Sequence, residues 1–366
     1  MLTKADDYPI HQSPEPIAYT GATRNFYDRY FFNGYHLHED VFFAAAMGVY
    51  PYVNVIDGAF SLIVDGVQHN VIASRILHME RMDTHVGPVS IKVLEPLHQL
   101  QVVINDTEHD LRAELTFTSR APAQEEPRFT RRLGTQLMMD YTRLTQNGSW
   151  QGWIESKGRR IQVDADNWLG TRDRSWGVRN IGAADSQPNP YAPQPQFYWL
   201  WAPINWADGV SLYHLNDDEF GRPWNTNGVW VPLRDQGPAQ EMAKVSSHLD
   251  FISGTRHARR AELRFESHDG QVSEITMNPR YHWYMQGVGY GHPQISHGSY
   301  QGEFASIYEE YASAEVDDAT TLHIQAISDV TMQGDLGARQ GRGVLEQLIL
   351  GPHQPSGFND LMDMAP

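Results

Sequence analysis

The residues with most chemical potential lie in the run Trp168-Leu-Gly-Thr-Arg-Asp-Arg-Ser-Trp-Gly-Val-Arg179. Successive side chains of an extended strand point to opposite faces. Trp168, Arg172, Arg174 and Trp176 then share one face, and Leu169, Thr171, Asp173 and Ser175 the other. Asp173 therefore projects away from the two arginines that flank it. Such a carboxyl group either enters a pocket as a proton donor or belongs to an Arg–Asp network that ties strands together. Donation at neutral pH requires a raised pKa, which burial supplies and nearby arginine opposes. Asp173–Gly177 also has the outline of a nucleophile elbow. Asp173 stands where that motif needs glycine, and no helical periodicity follows, so Ser175 is not read as a nucleophile.

A second cluster runs from Tyr281-His-Trp-Tyr to His297-Gly298 and mixes histidine, aromatic residues and glycine. Tyr284, Tyr290, His292 and His297 could line a pocket there, with Trp283 beside them. They offer acid–base groups, and aromatic faces for an electron-poor intermediate. The plainer alternative is a glycine-permitted loop whose aromatics pack the end of a barrel. Gly287-Val-Gly289-Tyr-Gly291 lacks the spacing and the βαβ setting of a dinucleotide fingerprint. Near the C-terminus, alternation places Val344, Glu346 and Leu348 on one face, which makes Glu346 a second acid–base candidate or an edge carboxylate in solvent. His36 and His38 could share a strand face and hold a metal, as in cupins. Phe42 and Phe43 occupy the positions where a cupin-type carboxylate belongs, so no metal and no cofactor is expected.

These groups are carried by a chain whose dominant period is two. Leu111, Ala113, Leu115 and Phe117 alternate with polar residues, as do Ala261, Leu263 and Phe265. Such alternation marks half-buried strands. Asp65-Gly66, Lys157-Gly158 and Asp269-Gly270 separate strand-like runs and read as hairpin turns. Further strands are expected over 100–104, 197–201, 210–215, 321–327 and 344–350. Residues 135–144 and 304–312 fit either short helices or strands. Many short strands with frequent turns indicate an all-β sandwich or barrel. The proline-rich run 185–196 reads as an extended linker. It divides the chain into two β-domains, 1–184 and 197–366, which echo each other weakly.

Composition narrows the function classes. The 366 residues carry 28 Lys and Arg against 45 Asp and Glu, a net charge of 28 − 45 = −17. Nucleic acids and anionic membrane surfaces both call for a basic footprint, so neither is an expected partner. The absence of cysteine removes thiol catalysis, disulfides, cysteine-based zinc sites and iron–sulfur clusters. The N-terminal residues show no secretory pattern, and no run approaches about 18 apolar residues. A soluble, cytoplasmic protein is the expectation.

The Trp168–Arg179 run resembles the signature of the tandem calycin proteins related to carotenoid 1,2-hydratase (hydroxyneurosporene synthase) and the AttH-like proteins. The likeness extends to Ala46-Met-Gly-Val-Tyr-Pro51, to 140–153, to Gly287-x-Gly-Tyr-Gly-His with His297-Gly298, and to Gly343-Val-Leu-Glu-Gln347. It is closest to a bacterial branch distinct from the hydratase itself. It implies two lipocalin-like antiparallel β-barrels in tandem and a lipophilic, isoprenoid- or polyketide-like ligand. It also implies a cofactor-independent lyase of the hydratase type, with Asp173 protonating a double bond. In that scheme Glu346 is the second choice of acid. Trp168, Trp176, Trp283, Tyr284 and Tyr290 surround the substrate, and His292 or His297 positions water. A carrier of a lipophilic molecule, and a cyclase or isomerase, are the alternatives.

Overall fold

The computed structural model describes residues 1–7, 10–21, 23–183 and 195–366. The expected linker, 185–196, falls almost wholly on 184–194, outside the described residues. Among the described residues every regular element is a β-strand or a short 3₁₀ turn. No helix there is long and apolar enough to cross a membrane. The chain is all-β and its sheets are curled and antiparallel, as in lipocalin-like folds.

The first half forms β1 (Phe26–His36), β2 (Phe42–Tyr50), β3 (Val55–Val64), β4 (Val67–Ile76), β5 (His85–Val86), β6 (Val89–Glu95) and β7 (Gln99–Asp106). It continues with β8 (Leu111–Ser119), β9 (Gln124–Glu125), β10 (Phe129–Leu133), β11 (Gln136–Ser156), β12 (Arg159–Val163) and β13 (Trp168–Val178). The second half forms β14 (Phe197–Asn205), β15 (Gly209–Asp217), β16 (Pro223–Pro232), β17 (Gln240–Glu241), β18 (Lys244–Phe251), β19 (Ala258–Glu266) and β20 (Val272–Tyr284). It ends with β21 (Phe304–Ala312), β22 (Ile324–Gly334) and β23 (Arg339–Leu350).

The first sheet runs β21-β4-β3-β2-β1-β13-β11-β8-β7-β6-β5, and the second β17-β16-β15-β14-β23-β22-β20-β19-β18. Each curls on itself. Val86 and Val89 lie against Gly58 of β3, and Val245 of β18 lies against Gly228 of β16. The hairpin turns follow the chemistry of their residues. Asp65 and Gly66 have φ of 54° and 74°, and Lys157 and Gly158 have 50° and 76°. Two consecutive positive φ values make the mirror-image turn that matches strand twist.

The two stretches that fitted either helix or strand are strands. Residues 135–144 belong to the long β11, and 304–312 form β21. β21 leaves the second half and pairs with β4, from Phe304 opposite Arg75 to Ala312 opposite Val67. Backbone pairing decides both segments: β21 adds to the edge at β4, a contact far apart in sequence, whereas the start of β11 pairs with the neighbouring β10 and with β13. β11 serves several partners in turn, pairing β13 over 140–149 and β8 over 148–156. It turns at Gly152, where φ is 137° and a Cβ would lie 1.9 Å from the Glu114 carbonyl oxygen.

Three apolar layers result. One fills the first curl, around Phe43, Phe60, Trp150 and Trp168. Another fills the second, around Tyr213, Phe265 and Leu345. The third lies between the sheets and includes Phe31, Phe42, Trp199, Trp201 and Trp283. Every residue of β2 and β3 is buried because both faces of these strands are covered. The halves also share a polar seam. The Gln68 amide exchanges two 3.0 Å hydrogen bonds with the Tyr284 backbone, acting as a short stretch of strand. Gly287 then sits so close to Asn70 that an added Cβ would lie 2.2 Å from its Oδ1.

Candidate active site

A cavity of about 170 Å3 opens between the two sheets. Its first wall is the outward face of three adjacent strands, β1, β13 and β11. Strand register sets that wall as a grid. Ser175 lies opposite Arg29 on one side and Arg143 on the other. Gly177 lies between Tyr27 and Tyr141, and Asp173 between Phe31 and Thr145. Diagonal neighbours across strands lie about 7–8 Å apart, within reach of long side chains. Arg29 and Arg143 thus bracket Asp173 from both flanks. The opposite wall brings Trp199 from β14, Glu346 and Leu348 from β23, His323 ahead of β22, and Tyr290 from the loop after β20.

Asp173 and Ser175 face this cavity, whereas Arg172 and Arg174 point to the other side of β13. Arg172 Nε donates to Gln146 Oε1 at 2.8 Å, and Arg174 pairs with Asp28. Among the described residues the Asp173 carboxyl group has no hydrogen bond or ion pair. Burial between the sheets pushes its pKa up to about 7, against the pull of Arg143 and Arg29, and the nearby carboxylates of Glu346 and Glu126 add to the rise. It is only partly buried in surface terms because it lines the cavity, which both sheets flank.

Glu346 has the opposite surroundings. Burial alone would raise its pKa, but three donors reverse that and hold it below the usual range. Its Oε1 accepts from Trp199 Nε1 at 2.9 Å and His323 Nε2 at 3.0 Å, and its Oε2 from Gln325 Nε2 at 2.7 Å. A carboxylate can only accept here, so His323 Nε2 carries a proton and Nδ1 keeps the lone pair in the neutral ring.

Tyr290 is held by two guanidinium groups. Arg29 Nη1 donates to its hydroxyl oxygen at 2.6 Å and Arg179 Nη1 at 3.4 Å. The phenol proton then has to find an acceptor elsewhere, and the cavity lies on its open side. Arg143 is neutralised by Glu126, donating through Nε at 2.8 Å and Nη2 at 2.5 Å to Oε2. Thr145 Oγ1 donates to the other Glu126 oxygen at 2.6 Å. The aromatic faces of this wall are already covered by cations. Arg143 lies 4.7 Å from the centre of the Trp199 ring, and Arg179 lies 4.4 Å from that of Tyr27.

Of the residues singled out in the sequence, Asp173, Glu346 and Tyr290 line the cavity. The others stand elsewhere. Trp168 is buried in the first core against Phe43. Trp176 is 39% exposed on the outer face that carries Arg174. Trp283 is fully buried between the sheets, donating to Ser61 Oγ at 2.7 Å and packing on Phe42. The Tyr284 hydroxyl donates to Asp318 Oδ1 at 2.9 Å in the second half.

His292 and His297 do not line the cavity. His292 Nδ1 accepts from the backbone N–H groups of Gln294 and Ile295, and Nε2 donates to Glu309, so this ring shapes its loop. His297 packs behind Tyr290 at 4.4 Å between ring centres. Its Nε2 donates to the Val288 carbonyl at 2.9 Å and its Nδ1 accepts from Arg179 at 3.3 Å. Burial, Arg29 and Arg179 hold it neutral, with a pKa well below the usual histidine range. His36 Nδ1 accepts the backbone N–H groups of His38 and Glu39, which commits it to a turn. Sequence reasoning missed Arg29, Arg143, Arg179, Trp199 and His323. Trp199 and His323 fall within the expected strands 197–201 and 321–327, but alternation alone gives no reason to single them out.

A family model described as a family of unknown function (DUF8625) matches residues 2–359, and the chain belongs to that family. No curated protein matches the sequence significantly. Among solved structures, a protein of Nitrosomonas europaea assigned as AttH is similar at 14% identity and a TM-score of 0.54, over 93% of this chain and 98% of its own. CghA bound to Sch210972 is similar at 10% identity and a TM-score of 0.52, over 89% of each chain. Kievitone hydratase from Nectria haematococca aligns at 11% identity and a TM-score of 0.43, over 88% of each chain. The first two likenesses are likenesses of fold.

Proposed function

We propose that the cavity between the sheets is the active site of a hydratase-type lyase acting on a lipophilic small molecule, with two lipocalin-like halves supplying one wall each. The observation that carries this reading is the pairing of Asp173, whose pKa is pushed up to about 7, with Glu346, held ionised in the same cavity. Carboxyl groups whose surroundings drive them apart serve as acid and base.

The electrostatics select the kind of double bond. An isolated alkene, once protonated, is a cation. Arg29 and Arg179 disfavour a further positive charge, and Arg29, Arg143 and Arg179 already cover the faces of Tyr290, Trp199 and Tyr27. A double bond conjugated to a carbonyl develops negative charge on oxygen instead. Tyr290, polarised by Arg29 and Arg179, is a preorganised donor for that oxygen. Met139, Phe197 and Leu348 offer apolar contact for the hydrocarbon part.

His323 Nδ1, oriented by Glu346, takes a proton from water while the water oxygen bonds to the β-carbon. The π electrons move to the carbonyl oxygen, which Tyr290 stabilises. As the carbonyl re-forms, Asp173 gives its proton to the α-carbon. One proton then passes from His323 to Asp173 through solvent, and the net change is the addition of one water.

A reaction that takes no water is the second reading, an isomerisation or cyclisation driven by the same polarised carbonyl.

The test is incubation of the full chain in ¹⁸O-water with a panel of conjugated isoprenoid and phenylpropanoid carbonyl compounds, read by mass spectrometry. A product heavier by one labelled water supports hydration. A new product of unchanged mass supports the second reading. Recovery of every compound unchanged, with one bound to the protein, would overturn catalysis in favour of a carrier.

A further inference from the structure

Away from the cavity, His257, His282 and Asp318 converge in the second half. Their ligating atoms all lie within 4.8 Å of one another, and among the described residues no other such group of three occurs. His257 immediately precedes β19, His282 is near the end of β20, and Asp318 lies in the segment between β21 and β22. The His257 side chain is wholly buried. Its Nε2 lies 2.9 Å from the Thr321 carbonyl oxygen, so Nε2 carries the proton and Nδ1 is the lone-pair nitrogen. That Nδ1 is buried without a hydrogen-bond partner and faces Asp318 Oδ1 at 3.4 Å. His282 Nδ1 faces the other carboxylate oxygen at 3.8 Å.

These separations are too long for good hydrogen bonds. The shorter is close to what an ion between the groups demands, and the group, spanning up to 4.8 Å, would close slightly around it. With Zn–N and Zn–O bonds of about 2.0–2.1 Å, neighbouring ligands of a tetrahedral ion lie about 3.3 Å apart. The outer contacts are also those of a metal site. The Thr321 carbonyl fixes the tautomer of His257, and the Tyr284 hydroxyl donates to Asp318 Oδ1 at 2.9 Å and orients the carboxylate. The two rings meet edge to face, 4.9 Å between centres.

We propose that His257, His282 and Asp318 bind one divalent transition-metal ion, with Zn²⁺ the best match to two imidazoles and a carboxylate. The ion fastens the 313–323 segment to β19 and β20, and that segment ends at His323 of the cavity. Three protein ligands leave a fourth position to water, the ion's contribution being to hold this segment in place, and the site stands whether or not the hydratase reading does.

The test uses the full chain, purified without a metal-affinity tag and stripped with a chelator. Zn²⁺ is titrated against a chromophoric competitor, and Co²⁺ is followed by its visible absorption. The expected result is one ion per chain, a Co²⁺ spectrum of low coordination number, and a raised midpoint of thermal unfolding with Zn²⁺. Asp318→Asn and His257→Gln are each expected to weaken Zn²⁺ binding by about tenfold or more, while His36→Ala leaves it unchanged. Wild-type chain that is folded by circular dichroism yet takes up no stoichiometric Zn²⁺ or Co²⁺ would overturn the proposal, as would binding that survives Asp318→Asn and His257→Gln unaltered.

Discussion

Asp173 of β13 and Glu346 of β23 come from opposite sheets, line one cavity, and have their acidities driven in opposite directions. Asp173 has no hydrogen-bonding partner among the described residues, and burial favours its neutral form. Glu346 accepts three hydrogen bonds that favour its anion. Packing one sheet on the other creates both environments at once.

Asp173 makes stability depend on pH. Its native pKa of about 7 exceeds its ordinary value of 3.8, so the native state holds the proton more tightly than the unfolded chain. The favourable contribution is complete below about pH 4 and is lost as pH rises through about 7. Asp173→Asn cannot ionise. Its unfolding free energy, relative to wild type, is expected to rise across that window by at most about 4 kcal/mol, at about 1.4 kcal/mol per pKa unit. Urea unfolding at a series of pH values measures it. Parallel curves for the two proteins would show that Asp173 titrates normally.

Glu346→Gln replaces an acceptor of three bonds by a group that also donates. One of Trp199, His323 and Gln325 loses its partner, at a cost of about 1–3 kcal/mol. His323 also loses the anion that fixes its tautomer. Turnover on a confirmed substrate is expected to fall by about 10²–10⁴. Denaturant unfolding and kcat, measured on the same preparation, separate the two effects.

Tyr290→Phe removes the one phenol that two guanidinium groups orient. The expected loss is about 10²–10³ in kcat, the scale of a deleted oxyanion donor, with a smaller change in KM. Arg29 keeps the Val288 carbonyl and Arg179 keeps His297, so the fold is expected to survive. A rise in KM of similar size with kcat unchanged would assign Tyr290 to ground-state binding.

Trp176→Ala separates the cavity face of β13 from its outer face. Trp176 is 39% exposed and points away from Asp173. Stability is expected to fall by about 1–2 kcal/mol, because most of the ring is still covered, and kcat/KM to remain as in wild type. A large loss of activity would place the reaction on the outer face instead.

Much of this was legible where it depends on local period. Alternation along 168–176 aims Asp173 one way and Arg172 and Arg174 the other, and alternation around Glu346 turns it inward. The turns at Asp65-Gly66 and Lys157-Gly158 follow from residue chemistry alone. The rest depends on pairing between distant strands. Arg29 and Arg143 reach Asp173 only through the register of β1, β13 and β11, and Arg143 sits in a stretch whose short-range pattern fits a helix equally well. His323 acquires its meaning from Glu346, which reaches it across the β22–β23 pair. The aromatic residues at Trp168, Trp176, Trp283 and Tyr284 attract notice by type, but three curled layers give large rings many places to pack. Type alone does not say which layer receives them.

The most direct measurement is the protonation state of Asp173 in the folded chain. Carboxyl ¹³C chemical shifts of aspartate-labelled protein, assigned by comparison with Asp173→Asn, would be followed from pH 4 to 9. The expected result is a midpoint near 7, with the group largely neutral at pH 6 and able to donate a proton. A midpoint near the ordinary value of 3.8 would leave Asp173 a permanent anion beside Arg29 and Arg143, and would contradict its role as the acid.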